Sequence, residues 1–414
     1  MVDGDVNGLT LSEGLDRVPR AEIVVGIPST AARAIGTLVD EVAAGLARYY
    51  PATPCVIVTA DASRPAGAAG GARAGEGATP ILAVHERRLP PSPAAEREAA
   101  RAILLAAERW GARACALVDG GAGGLAPEWI RLLLEPVVHD GLDLVAPLYG
   151  RHRYDGLLTS SLLYPLTRAL YGLRVRQPEG AHLALSGLLI GRLLRSGLWD
   201  RGAGPGALDL WMTTTAIAEG LRVGQAHLGP WRAAPRGAAA ELGESFARAV
   251  GTAFTLMEEY RPCWWTVVTT AEVPTYGPPQ LPGLEPVSIN LDRMISTLRQ
   301  GVIELAPVWG RVLAPDTWAA LADLHGEGAT DFVLPAELWA RSVYDCAAAY
   351  HRRVLPRRHL LRAMIPLYLG CAAAFVLRTE PRDAAGVEAE SEALCVAFEA
   401  MKPHLLDRWD DPRP

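Results

Sequence analysis

The chain has 414 residues, of which 50% are hydrophobic and 21% charged, and it carries a formal net charge of -6. That balance suits a globular protein with a large buried core and excludes a disordered one. The acidic balance argues against a polyanion-binding surface, so no nucleic acid partner is expected.

The first twenty residues read as a flexible lead. From Glu22 short apolar runs alternate with segments of helical spacing. EIVVGIPS is strand-like, residues 31–50 have helical periodicity, and CVIVTAD is a second strand. A loop rich in Gly and Ala follows, lacking the G-x-x-x-x-G-K-[ST] pattern of a phosphate loop. ILAVHE then reads as a third strand, residues 94–110 as a helix and ACALVDG as a fourth strand.

Residues 144–148 extend the sheet, and LALSGLLIGRLL and RVGQAHLG are expected to add strands around a helix at 208–219. Beyond residue 241 helical patterns dominate, and the Pro- and Gly-containing stretch 274–286 looks like the connection between the two parts. Strands separated by helices imply βαβ units and an α/β fold, with a mainly parallel sheet covered on both faces. The expected organisation is a lead at 1–20, an α/β domain at 21–240 and a helical domain at 241–414. Ligands of such sheets bind at the carboxyl ends of the strands, where Ser29, Asp61, Glu86 and Asp119 stand.

Lys402 is the only lysine. No lysine is therefore available for a Schiff base or a phosphate clamp before that position. The six cysteines never form a C-x-x-C pair and are expected as buried free thiols of a reducing compartment. No basic and apolar secretion signal opens the sequence, and the longest uncharged stretch, 363–377, is interrupted by Pro366. It falls short of the ~18–20 residues that span a bilayer, so a buried helix, no membrane partner and a cytoplasmic location are expected. Trp211, Trp264, Trp265 and Trp339 are expected as packing residues.

Several segments, LVAPLYGRHRYDGLLTSSLLYPLTRALYGLRVRQPEG, ALDLWMTTTAIAEGLRV, ELWARSVYDCAAAYHR and LRAMIPLYLG, occur in an order that resembles the glucosylglycerate and mannosylglycerate synthases, with the related glucosyl-3-phosphoglycerate synthases. The resemblance spans about residues 22–409 and implies a GT-A-type, Rossmann-like fold and a retaining glycosyltransferase. Such an enzyme moves glucose or mannose from a nucleotide-diphosphate sugar, usually with Mg or Mn, to glycerate, 3-phosphoglycerate or a similar small hydroxy acid. A homodimer is also implied as possible.

Carried over by position, the resemblance assigns the donor to Pro28, Ser29, Asp61, Asp119, Gln177 and Gly180. It assigns the acceptor to Arg151, Arg153, Tyr154 and Thr159, and a catalytic, orienting role to Asp209. Asp119 is a possible metal ligand and His182 a weaker one. The sequence departs from the pattern on the donor side. Gly121 stands where the second acid of Asp-x-Asp is expected, PSPAAERE replaces a Gly-Lys-Gly segment, and GPWRAAPRG lacks the metal-binding histidine.

Each residue also has a plainer reading. Asp119 after an apolar strand is often a turn residue, and Asp209 is a favourable acid in the first turn of a helix. The arginines of GRHRYDGLLT can serve a carboxylate bidentately or form structural ion pairs. Two functions therefore stand: a working glycosyltransferase with an altered or metal-independent donor site, and an inactive relative that binds a nucleotide sugar or a protein.

Overall fold

The computed structural model describes residues 8–10, 15, 18, 20–28, 35–59, 81–83, 93–119, 126–200, 207–230, 239–279, 287–324 and 332–411. By its internal contacts the chain forms two compact units. The first comprises Met1–Gly150, Gly180–Arg236 and Val273–Leu281; the second comprises Arg151–Glu179, Gly237–Glu272 and Pro282–Pro414.

The first unit is built on one nine-stranded sheet. Its strands are β1 (Gly8–Thr10), β2 (Ile23–Ile27), β3 (Cys55–Thr59), β4 (Ile81–Ala83), β5 (Ala114–Val118), β6 (Leu144–Gly150), β7 (His182–Ser186), β8 (Val223–Pro230) and β9 (Thr275–Tyr276). They lie in the order β1-β4-β3-β2-β5-β7-β6-β8-β9. Every pairing is parallel except those of β7, which runs antiparallel to both β5 and β6. The runs IVVGI, CVIVT and ACALV are buried along their whole length, as strands covered on both faces must be.

Two helices, α1 (Ile35–Tyr49) and α3 (Glu128–Val138), bring Val39, Val42, Leu46, Ile130, Leu133 and Leu134 into one core with Ile23, Val25 and Ile27. Helix α2 (Pro93–Trp110) covers the opposite face, where Gly26 admits it closely. A Cβ on Gly26 would lie 2.4 Å from Ile103 Cγ2 and 3.2 Å from a Leu117 methyl. The mainly parallel, doubly covered α/β sheet expected from the alternating pattern is thus present.

One apolar run divides differently from expectation. LALSGLLIGRLL was expected as strand, but only its first part belongs to β7; Gly187–Leu194 forms helix α5. The Ser186 hydroxyl caps it by accepting the Leu189 N–H at 3.2 Å. Gly187 permits the tight entry, since a Cβ there would meet the Ala112 carbonyl at 2.9 Å. The expected connection at 274–286 contributes β9 to the sheet edge in its described part.

The second unit is helical. It contains α4 (Tyr164–Tyr171), α7 (Ala239–Glu259), α8 (Arg261–Thr266), α9 (Leu291–Glu304), α10 (Ala306–Val312), α11 (Pro315–Asp323), α12 (Ala336–Arg352), α13 (Arg357–Thr379), α14 (Ala384–Ala400) and α15 (Lys402–Trp409). Helix α6 (Leu208–Ala218) belongs to the first unit. Trp264 and Trp339 are buried here, as expected for packing residues, Trp265 is only half-buried, and Trp309 and Trp409 are buried as well. Helix α13 is the one among the described residues long and apolar enough to cross a membrane, yet 72% of its apolar window is buried, as in a core helix.

Residues 151–179 pack within this unit, although in sequence they continue the α/β pattern. Polar links accompany that packing. Arg168, 1% exposed, holds Glu392 through both terminal nitrogens at 2.6 and 2.7 Å and Glu399 through Nε at 2.7 Å. Arg176 grips Glu388 in the same forked manner at 2.6 Å, and Trp339 Nε1 donates to the Ser161 carbonyl. Lys402, 7% exposed, donates from Nζ to the Ala169 and Val267 carbonyls near the ends of α4 and α8. Burial pulls its pKa down to about 8.

Arg168 is buried, but its partners Glu392 and Glu399 are 38% and 30% exposed, so water screens the charges left behind when it is removed and the loss is about 1–3 kcal/mol, less than for a fully buried pair. Arg168→Met should therefore lower the stability of the helical unit by an amount in that range in urea unfolding followed by tryptophan fluorescence. An unfolding curve superimposable on that of the native chain would show that the Arg168 network is not a stabilising contact.

Candidate functional site

Strand register decides which side chains meet at the carboxyl edge of the sheet. β2 and β5 pair in parallel with Gly26 opposite Leu117, so Pro28 and Asp119 leave their strands side by side. β7 enters at this same end, with His182 opposite Val118. Gly180 precedes it by two residues and is buried. Pro28, Asp119, Gly180 and His182 are thereby brought to one edge, with Pro28 and Asp119 half-buried. Ser29 and Asp61, as well as Gly121, lie outside the described residues. Gln177 is described and half-buried, but by its contacts it belongs to the helical unit.

His182 is fully buried between two aromatic rings, at 5.2 Å from Trp129 and 5.7 Å from Tyr149 in edge-on geometry. Its Nδ1 is hydrogen-bonded to the Tyr149 hydroxyl. With the hydroxyl as donor, the ring proton sits on Nε2. Burial drives the pKa from 6.5 to about 3, so the imidazole is neutral at physiological pH.

A Mg or Mn ion needs several oxygen or nitrogen ligands converging on one point. Among the described residues no three His, Cys, Asp or Glu side chains come together in that way. Asp119 and the enclosed, Tyr149-bonded His182 do not by themselves fit a metal.

Asp209 stands in the first turn of α6, half-buried, where its Oδ1 accepts the Leu210 N–H at 3.0 Å. A carboxylate is favoured there by the helix dipole.

In the helical unit, GRHRYDGLLT folds as a turn leading into a five-residue π-helical segment, Thr159–Leu163, that runs on into α4. Such segments are frequent at functional sites. Gly156, at φ +72°, makes room for Arg151: a Cβ on it would lie 2.6 Å from Arg151 Nη1 and 3.6 Å from Thr159 Oγ1. Arg151 and Thr159 thus border the same small space. Arg153 is directed elsewhere, donating from Nη1 to the Thr379 carbonyl at 3.2 Å and the Arg382 carbonyl at 2.8 Å. Those bonds satisfy carbonyls at the end of α13. Tyr154 stacks edge-on with His152 at 5.4 Å, and its backbone N–H reaches His152 Nδ1 at 3.3 Å.

The structure adds Glu179, which no sequence motif singled out. Its Oε1 accepts the hydroxyl proton of the buried Thr159, whereas Oε2 is buried without a hydrogen-bond partner among the described residues. Twenty residues separate the pair, so neither helical nor strand periodicity could have joined them.

The buried imidazole yields a pH dependence. Below about 6.5 the unfolded chain protonates His182 while the folded chain does not until about pH 3. The unfolded state binds the extra proton, and stability falls as pH falls through that window. The slope approaches ~1.4 kcal/mol per pH unit for one proton. Urea midpoints of His182→Asn should therefore decline less steeply between these pH values than those of the native chain; parallel declines would refute the assignment.

No protein-family model matches the chain, and no curated protein matches it. Among solved structures, it is similar to glucosyl-3-phosphoglycerate synthase from Mycobacterium tuberculosis in complex with Mn2+, UDP and phosphoglyceric acid. That match has 18% identity, covers 61% of this chain and 83% of the other, and has a TM-score of 0.40. The same enzyme with Mg2+ and UDP gives 17% identity, 61% and 84% coverage, and a TM-score of 0.41. Mannosyl-3-phosphoglycerate synthase from Rubrobacter xylanophilus gives 16% identity over 63% of this chain and 84% of the other, with a TM-score of 0.37.

Proposed function

We propose that the chain is a glycosyltransferase that takes glucose or mannose from a nucleotide-diphosphate sugar and transfers it, with retention, to a small hydroxy acid of the glycerate type. The observation that carries this reading is the convergence of Pro28, Asp119 and Gly180 on the carboxyl edge of β2, β5 and β7. That edge is where open α/β sheets hold nucleotides. A carboxylate there accepts hydrogen bonds from sugar or ribose hydroxyls, and the small Gly180 lets a ligand approach the backbone.

Transfer with retention places the acceptor hydroxyl on the face from which the diphosphate departs. The acceptor's proton passes to the leaving diphosphate oxygen as the new glycosidic bond forms and the sugar–phosphate bond breaks. No strong protein base is required. Asp209 orients a hydroxyl of the sugar or the acceptor. Arg151 supplies the guanidinium for the acceptor's carboxylate, and Thr159 borders it. Arg153 holds the segment to the end of α13.

Calorimetric titration with UDP-glucose, GDP-glucose and GDP-mannose, each with and without Mn, tests the donor site. One donor should bind in the micromolar range, and Asp119→Asn should weaken it about tenfold, the equivalent of ~1.4 kcal/mol. Failure of all three to bind would sink the transferase reading. Binding without turnover on any hydroxy acid would make the chain a nucleotide-sugar-binding module instead.

A further inference from the structure

We infer that Glu179 sets the charge of the ligand taken by the Arg151–Thr159 cluster, selecting a hydroxy acid with one anionic group and free hydroxyls over a phosphorylated one. This rests on the acceptor role proposed for that cluster. A hydroxyl has a single proton to donate. The proton of Thr159 is committed to Glu179 Oε1, so Thr159 turns only lone pairs toward any further partner. Glu179 Oε2 is likewise an acceptor, buried and without a partner among the described residues. Both groups therefore call for hydrogen-bond donors from a ligand.

Charge points the same way. Arg151 Nη1 lies beside Thr159 across the space left by Gly156, and one guanidinium matches one carboxylate. A phosphate brings close to two negative charges and three acceptor oxygens at neutral pH. Set beside Glu179, it would face a like charge and acceptors that cannot be satisfied. A ligand hydroxyl donates to Glu179 Oε2 and relieves its unsatisfied burial.

The test compares two probes on the full chain, D-glycerate and 3-phosphoglycerate, titrated calorimetrically into the native protein and into Glu179→Gln. Glutamine keeps an oxygen to accept the Thr159 hydroxyl, removes the charge and turns an NH2 donor toward the ligand. The native chain should bind D-glycerate at least as tightly as 3-phosphoglycerate. Glu179→Gln should shift the ratio of the two affinities toward 3-phosphoglycerate by about tenfold or more. A ratio measured on one preparation is insensitive to partial loss of fold, which a merely structural Glu179 would cause.

Preference of the native chain for 3-phosphoglycerate, an unmoved ratio in the variant, or no binding of either probe would each overturn the inference. Donor titrations of the same preparations separate the two readings. A bound nucleotide sugar with an unmoved acceptor ratio defeats the selectivity alone, and a moved ratio without donor binding defeats the transferase reading alone.

Discussion

Parallel pairing of β2 with β5 is the constraint on which the carboxyl edge of the sheet depends. A parallel ladder aligns the ends of neighbouring strands, so the first residues beyond them, Pro28 and Asp119, share an edge without any loop having to be ordered for the purpose. Because all three central strands are buried on both faces, the register cannot slip without turning large apolar side chains onto the wrong helix layer. The antiparallel β7 completes the edge. It runs against β5, so its beginning meets the end of β5 and delivers the 180–182 turn to the same place.

The helical unit is organised by forked guanidinium contacts. Arg168 and Arg176 each face a glutamate of α14 with two nitrogens, a geometry that lysine's single ammonium cannot reproduce. The same commitment distinguishes the two arginines of GRHRYDGLLT. Two residues apart in sequence, one closes the end of a helix and the other borders Thr159. Their chemistry is identical, and only their surroundings give them different neighbours.

The strands β2, β3 and β5 and the long helices beyond residue 241 were legible because each is a run of one periodicity longer than a turn. The same reading placed Asp119 correctly at a strand end. Apolarity alone could not divide LALSGLLIGRLL, since both halves are buried and the division is made by one hydroxyl, Ser186, and one close approach at Gly187. The allegiance of 151–179 was hidden for a different reason. It is decided by partners more than two hundred residues away, such as Glu392 for Arg168, and local pattern carries no record of them. Glu179 is hidden from local pattern likewise, because its significance lies in a tertiary contact with Thr159.

Lys402 bears on how this protein can be observed. It is the single side-chain amine of the chain, and its nitrogen is held beneath the ends of two helices. Amine-directed acylating reagents and cross-linkers thus have one internal target, shielded while α15 stays docked. Burial lowers the basicity of that amine but also keeps reagent away, so labelling proceeds only once the helix lifts and the amine regains both water and access. The labelling rate at this one position is then a clock for the opening of the C-terminal helix, free of the background that surface lysines impose on other proteins.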